Sequence, residues 1–349
     1  MDFGYINARI RAWKGDLFKT PDYNKFLSAG SVEDFIKMLK ETCYGLNLEE
    51  AKARFKEEGE MKVLEKGLKA NLFRTLKEIW DDIPPDDRIL IKAIISFWDV
   101  YNLKTIIRGI HKGISPDEIY SILILAGDFD ESALKELTQP RDIRIVIHIL
   151  DTWGSPYAKP LRDSLRDYLQ KKEIIGMELA LDRFVCGFYL NLIDRADMNT
   201  VMVSELIKYR IDAVNIITLF RFVKGQSSYP LMDYYIHGGK RVMKDDFMEL
   251  GICRDEKALL RGLTERMKGR EWREMLEMAD AGEPSMIEES MEDLIGINFC
   301  RKAVVYPLSI AVAICFCFKK IREIKNLMLI GRGKEYSIPE NEIRRYLRI

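Results

Sequence analysis

The segment Asp99-Val-Tyr-Asn-Leu-Lys-Thr-Ile-Ile-Arg108 recurs twice along the chain, as Asp212-Ala-Val-Asn-Ile-Ile-Thr-Leu-Phe-Arg221 and as Glu323-Ile-Lys-Asn-Leu-Met-Leu-Ile-Gly-Arg332. Each copy reads acid-x-x-Asn-aliphatic-x4-Arg, and the copies are separated by 113 and 111 residues. Self-similarity at a fixed period indicates one structural unit repeated along the chain. The sequence therefore predicts three diverged helical repeats, at residues 1–113, 114–225 and 226–349.

The pattern around these segments predicts an all-α fold. Apolar residues recur with helical spacing, as at Phe35, Met38 and Leu39, and strand-like alternation is scarce. Side-chain oxygens that can cap a first helical turn predict helix starts at Ser31 with Asp34, at Asp86 and Asp87, and at Ser115-Pro116-Asp117-Glu118. Helix stops are predicted at Gly45, Gly113, Gly225 and Gly333.

A serine and a proline follow the last three of these glycines, as Ser115-Pro116, Ser228 with Pro230, and Ser337 with Pro339. Proline at a first turn loses no hydrogen bond, and serine can cap the helix. Each copy is therefore predicted to be a long helix, a tight turn and a second helix. No long flexible linker separates the copies, and they could stack as an open solenoid or close around a pseudo-threefold axis.

Composition restricts the possible functions. The 349 residues are 47% hydrophobic, enough for a sizeable core. The 55 basic and 55 acidic residues cancel, so no net field would attract nucleic acid, and we expect no nucleic-acid partner.

Six cysteines without a Cys-x-x-Cys pair fit a reducing compartment, and Cys315 and Cys317 are interpreted as core residues. With only His111, His148 and His237, far apart in sequence, no metal site is predicted.

The longest apolar run, residues 303–318, spans 16 residues and contains Pro307. This is short of the roughly 20 residues that a membrane-spanning helix needs. We interpret the run as a buried helix and expect no direct bilayer insertion. Residues 1–14 include Arg9 and Arg11 and lack an uninterrupted apolar stretch, so no secretory signal is expected.

The repeated acid, asparagine and arginine are the first candidates for a site. On a helix Asp99 and Asn102 lie about 60° apart, whereas Arg108 points to nearly the opposite side. Because the three groups cannot converge, we predict structural roles. The asparagines would satisfy polar groups at helix crossings, and the arginines would meet helix-end carbonyls or an acid of an adjacent copy. These residues are Asn102, Asn215 and Asn326, and Arg108, Arg221 and Arg332.

Other candidates are weaker. Gly331-Arg-Gly-Lys334 lacks the spacing of a phosphate-binding loop. The acidic stretch from Glu271 to Asp293 and the basic residues Arg344, Arg345 and Arg348 could be solvated faces or a partner-docking surface, and docking through charge would weaken with salt. No catalytic, cofactor-binding or metal-binding residue is predicted, no cofactor is expected, and the partner-binding residues stay unassigned.

Several stretches together carry a family resemblance. They are Tyr5-Ile-Asn-Ala-Arg-Ile-Arg11, Phe26-Leu-Ser-Ala29 followed by Asp34-Phe35 and Thr42-Cys-Tyr44, the three repeated motifs, and the ending from Asn326-Leu327 through Gly333-Lys334 to Pro339 and Glu342-Ile343. From end to end the chain resembles the C-subunit family of archaeal and bacterial A/V-type ATPases (ATP synthases), which is homologous to the d-subunit of eukaryotic V-ATPases. It departs from that family at Cys315-Phe-Cys-Phe-Lys-Lys320, where a tyrosine and a Lys-Glu pair would be expected.

The resemblance implies a funnel of three similar helical domains around a pseudo-threefold axis. It also implies a non-catalytic rotor component of the central stalk, peripheral on the cytoplasmic face of the membrane. Such a protein binds the D and F shaft subunits and the membrane proteolipid ring (K/c-subunits), and transmits torque for ATP synthesis or ATP-driven ion transport. Asn7, Ala8 and Arg9 match the family's opening motif without a known role. The alternatives are a cytosolic helical protein-binding scaffold and an enzyme with an unrecognised helical site.

Overall fold

A computed structural model describes residues 3–193, 197–225, 230–267 and 284–349. Every regular element in these ranges is helical, which confirms the all-α class. The α-helices are α1 (Gly4–Trp13), α2 (Thr20–Leu27), α3 (Val32–Lys40), α4 (Gly45–Phe55), α5 (Glu60–Asp82), α6 (Arg88–Lys112), α7 (Pro116–Ser121), α8 (Glu131–Thr138), α9 (Ile143–Thr152), α10 (Ala158–Lys171), α11 (Ile175–Leu192), α12 (Met198–Val223), α13 (Lys244–Gly251), α14 (Glu256–Arg266), α15 (Pro284–Val305), α16 (Ala311–Glu335) and α17 (Glu340–Tyr346). Short 3₁₀ helices lie at Lys14–Asp16, Lys56–Glu58, Pro85–Asp87 and Leu231–Tyr234.

The first of two compact units comprises residues 1–88, 124–127 and 299–349. Its central helix, α16, packs against α5, α1 and α3, and α4 packs along α5. Because α16 is buried on nearly all sides, apolar residues surround its axis rather than forming one stripe. Leu64, Leu68, Leu327 and Ile330 are fully buried in this core.

The second unit comprises residues 89–123 and 128–298. Here α11 packs between α10 and α12, α9 packs on α10, and α12 also contacts α13 and α14. Leu206, Ile207, Ile211 and Leu219 of α12 are fully buried. The three motif segments lie on the long helices α6, α12 and α16, so each copy does contain the predicted long helix.

Several predicted helix ends are confirmed. The Ser31 hydroxyl accepts from the N–H of Asp34, and Ser115 forms a capping box with Glu118. Gly113 and Gly225 follow the helices α6 and α12 with φ of 70° and 71°, a left-handed conformation that glycine adopts at little cost.

Two predicted glycine stops are wrong. Gly45 begins α4, and Gly333 lies inside α16, which continues to Glu335. A Cβ at Gly333 would lie 2.3 Å from Cδ1 of Ile343, so this glycine permits close packing of α17 on α16. The left-handed residue after α16 is Ser337, with φ of 55°.

The apolar run at residues 303–318 is not one buried helix, which corrects the sequence-based interpretation. α15 ends at Val305, residues 306–310 form a turn, and α16 begins at Ala311. Pro307 cannot donate a helical hydrogen bond, so the run breaks there. Cys315 is buried, as interpreted, but it forms a disulfide with Cys300, which disagrees with the expectation of a reducing compartment, whereas Cys317 has a free thiol.

Within the described ranges, no helix combines the length and apolar character needed to cross a bilayer.

Candidate functional site: the repeated motif

The acid of the first two copies holds a connecting segment that lies about 29 residues further along the chain. Asp99 is fully buried and accepts from the N–H groups of Asp128 (3.1 Å) and Phe129 (3.3 Å). Asp212, also fully buried, accepts from the three N–H groups of residues 240–242 at 3.0–3.1 Å. The donors follow each acid by 28 to 30 residues. The two aspartates therefore perform the same structural task in two copies.

The repeated asparagine clamps backbone groups. The Asn215 Nδ2 donates to the carbonyl of Ile236 and its Oδ1 accepts from the N–H of the same residue, both at 2.9 Å. Asn326 binds Arg348 in the same way, at 2.8 and 3.1 Å. Asn102 is likewise fully buried. The prediction that the asparagines satisfy polar groups is confirmed for Asn215 and Asn326, although their partners lie in segments after a helix rather than at helix crossings.

The third copy carries glutamate in place of aspartate, and its partners come from the N-terminal part of the chain. Glu323 accepts from the N–H of Phe18 at 2.6 Å and from the hydroxyl of Tyr44 at 2.5 Å. The buried Lys320 ammonium lies 3.2 Å from Glu323 and donates to the Tyr44 oxygen at 2.7 Å. Lys320 belongs to the stretch that departs from the family pattern, and here it neutralises the buried carboxylate.

The arginines of the first two copies meet on one carboxylate. Arg108 makes a bidentate pair with Glu178 at 2.6 and 2.9 Å, and Arg221 binds the same carboxylate at 2.8 Å. Lys104 pairs with Asp182 at 3.0 Å nearby. Burial alone would raise the pKa of Glu178, but Arg108, Arg221 and Lys104 outweigh burial and hold that pKa at about 2. With the predicted repeat bounds Glu178 lies in the second copy, so Arg108 meets an acid of an adjacent copy, as predicted, whereas Arg221 meets an acid of its own copy.

Burial also governs the two aspartates. It raises the pKa of Asp99 to about 7, because the N–H donors of Asp128 and Phe129 offset it only in part. Burial raises the pKa of Asp212 as well, against its N–H donors at residues 240–242. Perturbed carboxyls of this kind can mark catalytic sites. Here both side chains are fully buried and occupied by backbone donors, so they serve the fold rather than a substrate.

The acid and the arginine of a single copy do not come together in α6. Asp99 and Arg108 of α6 bind different partners, at residues 128–129 and at Glu178. The prediction that the three groups of one copy do not converge is confirmed for this helix.

Sequence reasoning missed Glu178, although a signal was present. Glu65, Glu178 and Glu289 recur with separations of 113 and 111 residues, the same as those of the motif. They lie on α5, α11 and α15, the long helices that precede the motif helices in the chain. Glu65 is buried and pairs with Lys69 at 2.9 Å, and burial lowers the pKa of Lys69 to about 8.

The opening motif, which had no assigned role, is structural at two of its three positions. The buried Asn7 donates to the carbonyls of Pro307 (3.2 Å) and Ser309 (3.0 Å). Arg9 pairs with Glu78 and Asp82 of α5. Ala8 is exposed.

The remaining candidates stay outside any site. Gly331 to Lys334 lie inside α16, so they form no phosphate-binding loop, and the Lys334 ammonium donates to the carbonyl of Leu27. Arg344 pairs with Glu340 and donates to Asn24. Of the acidic stretch, residues 271–283 lie outside the described residues, and Glu292 pairs with Arg210. The described residues hold no group of three His, Cys, Asp or Glu side chains that could bind a metal ion.

The sequence matches one known family of proteins along nearly its whole length. The family described as ATP synthase (C/AC39) subunit matches residues 6–346, so the chain belongs to this family, a structural and non-catalytic component of A/V-type ATP synthases. Curated relatives cover nearly the whole chain. The C-subunit of the A-type ATP synthase of Halorubrum lacusprofundi is 26% identical over 97% of this chain and 95% of its own length. That of Methanocaldococcus jannaschii is 27% identical over 99% and 86%. The C-subunit of the V-type ATP synthase of Deinococcus radiodurans is 25% identical over 99% and 90%.

Proposed function

We propose that this component of a rotary ATPase is a rotor part of the central stalk. It links the D and F shaft subunits to the proteolipid ring (K/c-subunits) and transmits torque between ion flow and ATP chemistry. It lies on the cytoplasmic face of the membrane as a peripheral protein.

The buried clamps of the repeated motif are the observation that carries this proposal. Carboxylates and amides on α6, α12 and α16 fix connecting segments to long helices through charge-assisted or paired hydrogen bonds. A torque-transmitting body must resist deformation, and segments held at buried polar anchors have little slack. Family membership supplies the ATPase context.

We further propose that the repeats at residues 1–113, 114–225 and 226–349 close around a pseudo-threefold axis as a funnel. Support comes from the first unit, which combines residues 1–88 of the first repeat with residues 299–349 of the third. In that unit α16 packs against α5, and Glu323 binds groups of Phe18 and Tyr44. Contact between the first and the last repeat favours a closed arrangement over an open solenoid.

Affinity purification of the tagged full chain from native membranes tests the function. Recovery of the ATPase head, the shaft subunits and the proteolipid ring is the expected result. If the chain is recovered from the soluble fraction with other proteins and without ATPase subunits, the cytosolic scaffold is the better description. If the shaft subunits are recovered, titrating their binding with salt measures how much charge contributes to the affinity.

A further inference from the structure

Cys300 of α15 and Cys315 of α16 form a disulfide across the turn between these two helices. The two residues are 15 positions apart, and their Cα atoms lie 4.7 Å from each other. The other four cysteines of the chain have free thiols, and all six lie in the described ranges. The position of this pair in the fold, rather than general oxidation of the chain, therefore selects it.

The two sulfur atoms of the pair differ in their access to solvent. Cys300 is partly exposed, whereas Cys315 is fully buried. Thiol–disulfide exchange requires that an attacking thiolate reach one of the two sulfur atoms. A small thiolate can therefore attack the disulfide at Cys300 while Cys315 stays inside the core.

The surroundings also accommodate the reduced pair. The Cys300 Sγ lies 3.8 Å from the carbonyl oxygen of Cys315, so a thiol at Cys300 has an acceptor for its proton. A buried Cys315 thiol behaves as a small apolar side chain, and its neighbours along α16, Ile314 and Phe316, are buried apolar residues. Neither form places a charge in the core, so the folded chain is compatible with both the disulfide and the dithiol.

The free thiol of Cys317 does not compete for the pair. Positions two residues apart on an α-helix differ in direction by about 200°, so Cys317 points away from the side of α16 that carries Cys315. Burial raises the pKa of the Cys317 thiol to about 12, which keeps its reactive thiolate rare at neutral pH. Conversion of the pair therefore depends on an external thiol or disulfide.

The disulfide and the N-terminal helix hold the same turn. The Asn7 amide donates to the carbonyls of Pro307 and Ser309. Within the turn, the N–H of Tyr306 donates to the carbonyl of Lys302 at 2.8 Å, and the N–H of Ser309 donates to that of Tyr306 at 3.1 Å. Hydrogen bonds open and close in the folded state, whereas a covalent bond does not. Reduction of the disulfide leaves the turn held by its hydrogen bonds and side-chain packing.

We propose that Cys300 and Cys315 form a reversible redox switch that sets the rigidity of the turn at residues 306–310. In the disulfide form the turn is closed covalently, and in the dithiol form it opens more often. The switch acts within the isolated chain, so it does not depend on the proposed function.

A low-molecular-weight disulfide supplies the oxidant. The Cys300 thiolate attacks it, which forms a mixed disulfide and releases one small thiol. Cys315 then loses its proton and attacks the Cys300 sulfur, which releases the second small thiol. Two electrons thus pass from the cysteine pair to the small disulfide, and two protons end on its two thiols.

Reduction follows the reverse course. A small thiolate attacks the Cys300 sulfur, and Cys315 leaves as a thiolate that takes up a proton. A second small thiol then releases Cys300 from the mixed disulfide, which regenerates the small disulfide.

Hydrogen exchange in mixtures of reduced and oxidised glutathione tests the switch. The purified full chain is equilibrated without denaturant at a series of glutathione ratios, and the state of the pair is read by acid quenching, alkylation and peptide mass spectrometry. Exchange at the amides of Tyr306 and Ser309 reports how often the turn opens. Cys300→Ser removes the disulfide. Cys253→Ser is the matched control, because it replaces another partly exposed cysteine and leaves the pair intact.

We expect the natural chain and Cys253→Ser to pass from dithiol to disulfide within the series and to return. Both amides should exchange at least about tenfold more slowly in the disulfide form, because a crosslink across a short loop restricts the open state. Cys300→Ser should show the fast exchange at every ratio. A pair that keeps one state throughout, that converts only in denaturant, or that leaves the exchange rates unchanged would refute the switch. The natural chain supplies both states, so this comparison decides the matter even if Cys300→Ser does not fold.

Discussion

Glu178 shows how a single carboxylate can connect two copies of a repeat. Arg108 and Arg221 each bring a guanidinium to it, and its side chain is only 4% exposed. A buried ion pair is not a stabilising feature by itself, because desolvation offsets much of the attraction. Removing one member is costly, however, since the remaining charges are then buried without compensation.

The substitution Glu178→Gln is expected to lower the free energy of unfolding by about 3 kcal/mol at pH 7. This magnitude follows from the fall in the carboxyl pKa from 4.5 to about 2. Because the folded-state pKa is depressed, the stabilisation is complete above the unfolded-state pKa and disappears as the pH falls toward 2. Urea unfolding of both proteins between pH 2 and pH 7 should show the difference shrinking over this window.

The matched control is Glu131→Gln, which removes an exposed pair with Lys135. Its effect should be below about 1 kcal/mol. A Glu178→Gln difference that is the same at pH 3 and pH 7 would mean that the carboxylate charge does not stabilise the arginine pair.

At the scale of elements, the helices and several of their ends could be predicted because the signals are local. The capping serines at 31 and 115 and the left-handed glycines at 113 and 225 act within one turn of the backbone. The role of Gly333 could not be predicted from its neighbours in sequence. Ile343 of another helix packs so close to it that a side chain would not fit. The pairing of Arg108 with Glu178 joins positions 70 residues apart and depends on how helices pack.

The loop clamp of the second copy gives a prediction at this scale. Asn215→Ala would leave both the N–H and the carbonyl of the buried Ile236 without their side-chain partner. We expect roughly 2–4 kcal/mol of destabilisation and faster amide hydrogen exchange at Ile236. Asn191→Ala, an exposed asparagine of α11, is the control and should leave exchange at Ile236 unchanged. Equal exchange in the natural chain and in Asn215→Ala would show that the loop is held by other contacts.

For the molecule as a whole, the three copies use one motif in different surroundings. Asp99 and Asp212 bind N–H groups about 29 residues later, whereas Glu323 binds Phe18 and Tyr44. The shared acids and asparagines are buried and the shared arginines are partly exposed, and together they build the body of the protein. Under the proposed function, exposed residues that differ among the copies would hold an asymmetric shaft in one orientation, because identical surfaces would offer equivalent registers.

This division predicts separable effects of substitution. Asn326→Ala should lower the urea midpoint of the isolated chain, because the clamp on Arg348 is lost. Below that midpoint the folded variant should bind the D and F shaft subunits within about twofold of the natural affinity, since mutations at distant sites act independently.

Charge reversal at exposed positions that differ among the copies should have the opposite effects. At about one in three of the positions that contact the shaft, it should weaken shaft binding roughly tenfold or more. The urea midpoint should stay unchanged. A folded Asn326→Ala chain with about tenfold weaker shaft binding would show that the repeated motif belongs to the socket and not only to the body that supports it.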